Sequence, residues 1–404
     1  MAKEETETKT DYVKWLSELS NKDVAIAGGK GASLAEMFNQ KFPVPPAFVI
    51  TAQAFEKFIS AIKSEIDEIV DRTDVDDVEN LNANSRKIRE LIEEQPIPKD
   101  MENEIIESYE ILSTQKEILR TSGDALSILK NAKKPVFVAV RSSATTEDLA
   151  GASFAGQQET FLAVRGNSQL LEKVKKCFSS LYTPRAIYYR EKRGFHHANP
   201  LLSVVVQKMI NSEKSGVMFT KNPIQNNDNV VIEAVFGLGE GIVSGKIHPD
   251  NYTVNRELEI LEKKIADKKK ALVRSDAGNV EEIKLTEDKS NSPVLTDSEI
   301  KRTANLGLQL EKHYKKPQDV EFAIENKEIY IVQSRPITTS AEAESQEIEG
   351  KVILSGLAAS PGVGTGKVKI ILNLNDLNKV QKGCLLYTSP SPRDLSTSRM
   401  PSSA

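Results

Sequence analysis

The chain has 404 residues, 39% hydrophobic and 28% charged, with a formal net charge of −4. The length predicts two or three domains with the composition of a soluble globular protein, and the slight acidity excludes an overall basic field of the kind that holds nucleic acid. Two cysteines, Cys177 and Cys384, exclude a disulfide framework or cysteine-built metal centre and suit a reducing cytoplasm.

Residues 1–10 are charged, without the apolar core of a secretory leader, and are expected to be disordered. No apolar run reaches the roughly 20 residues that cross a bilayer, so neither membrane nor nucleic acid is an expected partner and the expected location is the cytoplasm. After a short segment around Trp15 and Leu16 comes the turn Gly28-Gly29-Lys30-Gly31, then a helix over Ala32 to Phe38 and a strand over Phe48 to Ile50. Residues 52–130 read as helical: Ile62, Ile66, Ile69 and Val70 share one helical face. The period changes at Pro135 to Val140, a β-rich run ending at Arg141, followed by a polar small-residue stretch from Ser142 to Gln158.

Leu170, Leu171, Val174, Phe178 and Leu181 mark an amphipathic helix, and strands follow at Leu201 to Val206, Gly216 to Thr220 and Val230 to Val235. Gly237 to Gly241 reads as a turn. The run Lys268-Lys269-Lys270 reads as a solvated face or an exposed hairpin. Thr296 with Glu299 three residues on predicts a capping box opening a helix to about Tyr314. The strands Val320 to Ile324 and Glu328 to Gln333 come next, then a linker over 338–349 and a new unit from Lys351 with a strand over Gly366 to Leu372. Beyond Gly383 the chain is rich in Ser, Pro, Thr and Arg and shows no pattern that buries a core. Strands and helices mix without a regular βαβ repeat, which predicts α+β.

Three stretches carry phosphate chemistry. The glycine turn lets backbone N–H groups approach a phosphate beside a helix N-terminus, and Lys30 adds a positive charge; alone, this is equally a tight turn with a solvated lysine. Arg141, read as ending a strand before a loop of hydroxyl residues and glycine, offers a guanidinium fork that matches phosphate oxygens. In the hairpin Asp319 to Arg335, a turn centred on Lys327 would set Ile324 opposite Tyr330 and put Glu321, Gln333 and Arg335 on one side of the sheet. A carboxylate beside an amide oxygen suits Mg²⁺, with Arg335 placed for phosphate. Gln207 is uninformative by itself. His196, His197, His248 and His313 lack metal-ligand spacing and read as structural or solvated.

In order, these stretches resemble the ATP-grasp domain of the phosphoenolpyruvate synthase and pyruvate phosphate dikinase group. VAVRSSATTEDLAGASFAGQQETFL, SGVMFTKNP, GLGEGIVSG and DVEFAIENKEIYIVQSRPIT carry the resemblance, over about residues 11–383. The likeness to phosphoenolpyruvate synthases is greatest, from EKHYKKPQDVEFAI followed by IYIVQSRPIT. The resemblance implies an ATP-grasp fold of two α+β lobes clasping ATP, at 11–200 and 201–337. It further implies a linker at 338–350 and the start of a swivelling phosphohistidine domain at 351–383. It implies phosphate contacts for Lys30, Arg141 and Arg335, a loop over the nucleotide with Gly156 and Thr160, Gln207 near adenine, and Mg²⁺ on Glu321 and Gln333. ATP and Mg²⁺ are thus the expected cofactors.

Such enzymes pass a pyrophosphoryl group to a histidine and, after loss of phosphate, make phosphoenolpyruvate from pyruvate; the full-length enzyme is an expected homodimer. Here the family's T-x-G-G-x-T-C-H motif and pyruvate domain are absent. Residues 384–404 do not resemble the family, and the expectation is a truncated frame that binds ATP without completing turnover. Pyruvate phosphate dikinase, a rifampin-type antibiotic phosphotransferase and a stand-alone nucleotide-sensing module are the alternatives.

Overall fold

The structure is a computed structural model; it describes residues 11–118, 135–145, 159–192, 201–223, 227–275, 277–337, 365–371 and 383–388. Helices and strands are both abundant, as expected for α+β. The chain forms two compact units. The first draws on Met1–Asn211, Arg274–Glu281 and Tyr330–Ser334, the second on Ser212–Val273, Glu282–Ile329 and Arg335–Ala404.

The first unit is built on β1 (Val13–Trp15), β2 (Ala47–Ile50), β3 (Val138–Ala144), β4 (Thr160–Val164) and β5 (Leu202–Lys208). They form one sheet in the order β1-β2-β5-β3-β4, every neighbouring pair antiparallel. Alternation sends Val138, Val140, Ala144, Leu202, Val204, Val206, Phe48 and Ile50 to one face, where all belong to a single apolar core. Helices α1 (Val24–Asn39), α2 (Ala52–Ile59), α3 (Lys63–Asp71), α4 (Val78–Glu94) and α5 (Lys99–Ile118) precede β3. All but α1 supply that core, joined by the helix Asn167–Ser179. Phe178 lies between Phe55 and Phe58 at ring distances of 5.1 and 5.3 Å, and burying each such ring contributes about 1.5–3 kcal/mol. Thr51 caps α2 by accepting from Ala54 N at 3.2 Å. Cys177 is fully buried there, with Sγ 3.6 Å from Val140 O, and burial pushes its thiol far above the ordinary range.

The other face carries Ala139, Arg141, Ser143, Ser203, Val205 and Gln207. Helix α1 packs here; a Cβ on Gly31 would meet Val49 and Val205 at 3.4 and 3.6 Å. The helix begins earlier than expected, at Val24, and breaks at Gly28, whose φ of 65° and ψ of 174° are non-helical. Only glycine fits: a Cβ there would lie 2.2 Å from Ser143 O.

The second sheet has the order β13-β12-β6-β7-β8-β9. Its strands are β6 (Lys214–Phe219), β7 (Val230–Phe236), β8 (Asp250–Val254), β9 (Ile260–Lys264), β12 (Gln318–Glu325) and β13 (Glu328–Pro336), with β10 (Lys270–Arg274) and β11 (Val280–Lys284) pairing separately. Met218, Ile232, Ala234, Tyr252, Val320, Phe322 and Ile324 are buried on one face. The helix Asp297–Tyr314 packs there, with Gly307 against Met218. Its predicted capping box is present: Thr296 N donates to Glu299 Oε2 at 2.8 Å and Glu299 N to Thr296 Oγ1 at 3.3 Å.

Three expectations are corrected. Arg141 does not end its strand: β3 continues through Ser142, Ser143 and Ala144, all seven strand positions buried. The serines sit inside because their hydroxyls are satisfied, Ser142 Oγ donating to Glu159 O at 3.0 Å and Ser143 Oγ to Ala27 O at 2.8 Å. Lys268 is not solvated: it is 1% exposed and forms an ion pair with Asp250, whose side chain is fully buried too. The hairpin turn is not centred on Lys327 but is the two-residue Asn326–Lys327, with φ of 52° and 65°. The offset of one is confined to the turn end: farther along, Ile337 N donates to Pro317 O at 2.9 Å and Arg335 pairs with Asp319, the partners that the expected register sets opposite one another.

Cys384–Thr388, at the head of the stretch read as showing no pattern that buries a core, forms strand β15, paired parallel with β14 (Lys367–Ile371).

Candidate nucleotide site

Arg141 is the centre of the polar cluster in the first unit. It is 8% exposed, and its guanidinium Nη1 donates to Gln207 Oε1 at 3.1 Å and to Val332 O at 2.7 Å. Its Nη2 donates to Gln333 Oε1. The sheet brings these groups together: Arg141 and Gln207 lie two residues apart along the pairing of β3 with β5, where Ala139 faces Gln207 and Arg141 faces Val205. Thr160, opposite Arg141 on β4, is exposed. Gln207 is 3% exposed and its Nε2 is buried without a hydrogen-bond partner among the described residues. A buried amide donor with no acceptor is costly, and an acceptor nitrogen of a base would satisfy it.

Lys30 follows the Gly28 break on α1 and is half-buried. The turn before it is fastened to β3, because Ser143 Oγ also accepts from Gly31 N at 3.1 Å. Farther along α1, Ser33 Oγ donates to Ser334 O at 2.8 Å, beside Gln333. Ser143 and Ser33 are the residues that sequence reasoning missed. Their partners lie more than 100 positions away in the chain, and no local pattern marks them.

Glu321 and Arg335 belong to the second unit. Register across β12, β6, β7 and β8 aligns Glu321 with Val217, Glu233 and Asn251, on the face opposite the helix; all four are half-buried. Arg335 is paired with Asp319, Nη2 to Oδ2 at 2.7 Å and Nε to Oδ2 at 2.8 Å. With the Arg335 side chain 46% exposed, this ion pair contributes at most about 1 kcal/mol. Gly156 lies outside the described residues. The structure thus gathers Arg141, Gln207 and Gln333 into one hydrogen-bonded group in the first unit, with Lys30 on the helix packed against the same sheet face.

Among the described residues no three His, Cys, Asp or Glu side chains gather as a metal site. That does not exclude Mg²⁺, which takes one or two protein oxygens and fills its shell with water and phosphate. Gln333 Oε1 in the first unit keeps a second lone pair beside the bond from Arg141, and Glu321 in the second unit is a half-buried carboxyl side chain. Among the described residues no helix is long and apolar enough to cross a membrane.

Residues 24–353 match the family described as pyruvate phosphate dikinase, AMP/ATP-binding domain. The chain is 48% identical over 394 residues to a probable phosphoenolpyruvate synthase of Methanocaldococcus jannaschii, covering 95% of this chain and 32% of that protein. It is 48% identical over 393 residues to a probable phosphoenolpyruvate synthase of Archaeoglobus fulgidus, covering 95% and 50%. With the phosphoenolpyruvate synthase of Pyrococcus furiosus it shares 41% over 434 aligned positions, covering 95% and 51%. It therefore spans between a third and a half of the length of these relatives. With the match running over most of its length, the chain belongs to the family of pyruvate phosphate dikinase AMP/ATP-binding domains.

Proposed function

We propose that the chain has the ATP-grasp fold and is the ATP-binding, phosphoryl-donating part of a cytoplasmic phosphoenolpyruvate synthase. Lys30, Arg141 and Arg335 take the phosphates, Gly156 and Thr160 belong to the loop over the nucleotide, and Gln207 meets adenine. Glu321 and Gln333 hold Mg²⁺, which when bound neutralises charge on the phosphate oxygens. The reaction turns ATP, pyruvate and water into AMP, phosphoenolpyruvate and phosphate. It runs by pyrophosphoryl transfer to a histidine of a swivelling domain, loss of phosphate to water, and transfer of the remaining phosphoryl group to pyruvate. The protein's part at this site is positioning and charge stabilisation, the main tools of phosphoryl transfer.

The observation that carries the reading is the buried guanidinium of Arg141, held by the oxygens of Gln207, Val332 and Gln333. Those oxygens are neutral, and a phosphate makes stronger, charge-assisted bonds to the same fork.

Calorimetric titration with ATP and Mg²⁺ tests it. The chain is expected to bind, and Arg335→Ala to raise Kd about tenfold or more, one charge-assisted contact being lost. An affinity unchanged by Arg335→Ala would count against the assignment.

A further inference from the structure

We propose that Ser143 and Ser33 are positioning residues for the phosphate grip, locking the Lys30 turn in register with Arg141 and Gln333. This rests on the reading above, in which Lys30 and Arg141 hold phosphate. Ser143 is fully buried and its one hydroxyl does two jobs: it donates to Ala27 O at 2.8 Å and accepts from Gly31 N at 3.1 Å. Those two partners flank Gly28 and Lys30, so a single oxygen staples both ends of the non-helical break. Ser143 itself is held in turn, because Ser203 Oγ donates to its carbonyl at 2.9 Å.

Ser143 is two residues from Arg141 on the same strand face, so the turn is referenced directly to the guanidinium. Ser33 supplies the second reference. It lies three residues past Lys30, about one helical turn, and its hydroxyl ties α1 to Ser334 O, next to Gln333. Gln333 accepts from Arg141, so the ties form a closed circuit: turn to β3, β3 through Arg141 to Gln333, and β13 back to α1. Neither serine is assigned contact with nucleotide; each fixes where a contacting residue sits. A phosphate grip that must hold several oxygens at once loses more from a misplaced lysine than a base pocket does.

The test is calorimetric titration of the full chain and of the Ser143→Ala and Ser33→Ala variants with ATP and, separately, with adenosine, alongside thermal melts. Ser143→Ala is expected to weaken ATP about tenfold and adenosine less than twofold, and Ser33→Ala to weaken ATP about threefold with the same selectivity. A purely structural role would lower the melting temperature without changing the ratio of the two affinities. If Ser143→Ala fails to fold, Ser33→Ala decides by the same ratio. Equal weakening of ATP and adenosine, or unchanged ATP affinity in the folded variants, overturns the positioning role. Failure of the unmodified chain to bind ATP would instead overturn the function on which it rests.

Discussion

Replacing Arg141 by alanine is expected to raise the Kd for ATP about 100-fold or more in a calorimetric titration. Two charge-assisted bonds to phosphate are lost, each contributing about 1.5–3 kcal/mol, set against the neutral bonds to Gln207, Val332 and Gln333 that the free protein gives up. Arg141→Lys should recover only part of the loss, because an ammonium keeps the charge but not the planar fork. Stability also falls, by about 1–3 kcal/mol, since Gln207 and the Val332 carbonyl lose a buried donor. That separates the two effects: Gln207→Leu should cost stability to a similar degree while leaving most of the phosphate affinity intact. Wild-type ATP affinity in Arg141→Ala would remove the guanidinium from the site.

The second large effect is on folding and lies away from the phosphates. Lys268→Met is expected to destabilise the second unit by about 3–5 kcal/mol, the usual result of stripping one partner from a buried ion pair. Asp250 is completed by three further donors: Ala266 N at 2.9 Å, Val294 N at 2.8 Å and the Tyr252 hydroxyl at 2.8 Å. Tyr252 accepts from Leu295 N at 3.1 Å, and burial, aided by the carboxylate beside it, holds its phenol above the ordinary range. Asp250→Ala should therefore cost more than Lys268→Met, because it orphans these donors as well as the lysine. Lys269→Met, next along the chain with a side chain 78% exposed, should change stability by less than about 0.5 kcal/mol. Chemical denaturation followed by fluorescence or circular dichroism measures all three. Equal, small effects for Lys268 and Lys269 would contradict the buried network.

The difference between those two lysines marks the limit of what the chain discloses locally. A run of three lysines has no pattern that singles out the first; Asp250, which draws Lys268 inside, is 18 residues away. The serines after Arg141 failed for the same reason. They read as polar loop because their hydroxyls are satisfied by Glu159, Ala27 and Gly31 rather than by solvent. Gln207 was silent for want of its partner, Arg141, on the neighbouring strand. What was legible was short-range chemistry: the Thr296–Glu299 box, complete within four residues, and the alternation that buries Val320, Phe322 and Ile324, although Val332, expected to face the core with them, is only half-buried. Only the turn end of the hairpin is offset, because a two-residue turn at Asn326–Lys327 needs positive φ at both positions, which the sequence signals only weakly at lysine.

The proposed function requires the guanidinium of Arg141 and the ammonium of Lys30 to hold a triphosphate. The most direct measurement is a crystal structure of the chain with a non-hydrolysable ATP analogue and Mg²⁺. Phosphate oxygens are expected within hydrogen-bonding distance of both groups, with the base at Gln207. Nucleotide bound elsewhere, with Arg141 still seated on Gln207, Val332 and Gln333, would contradict it.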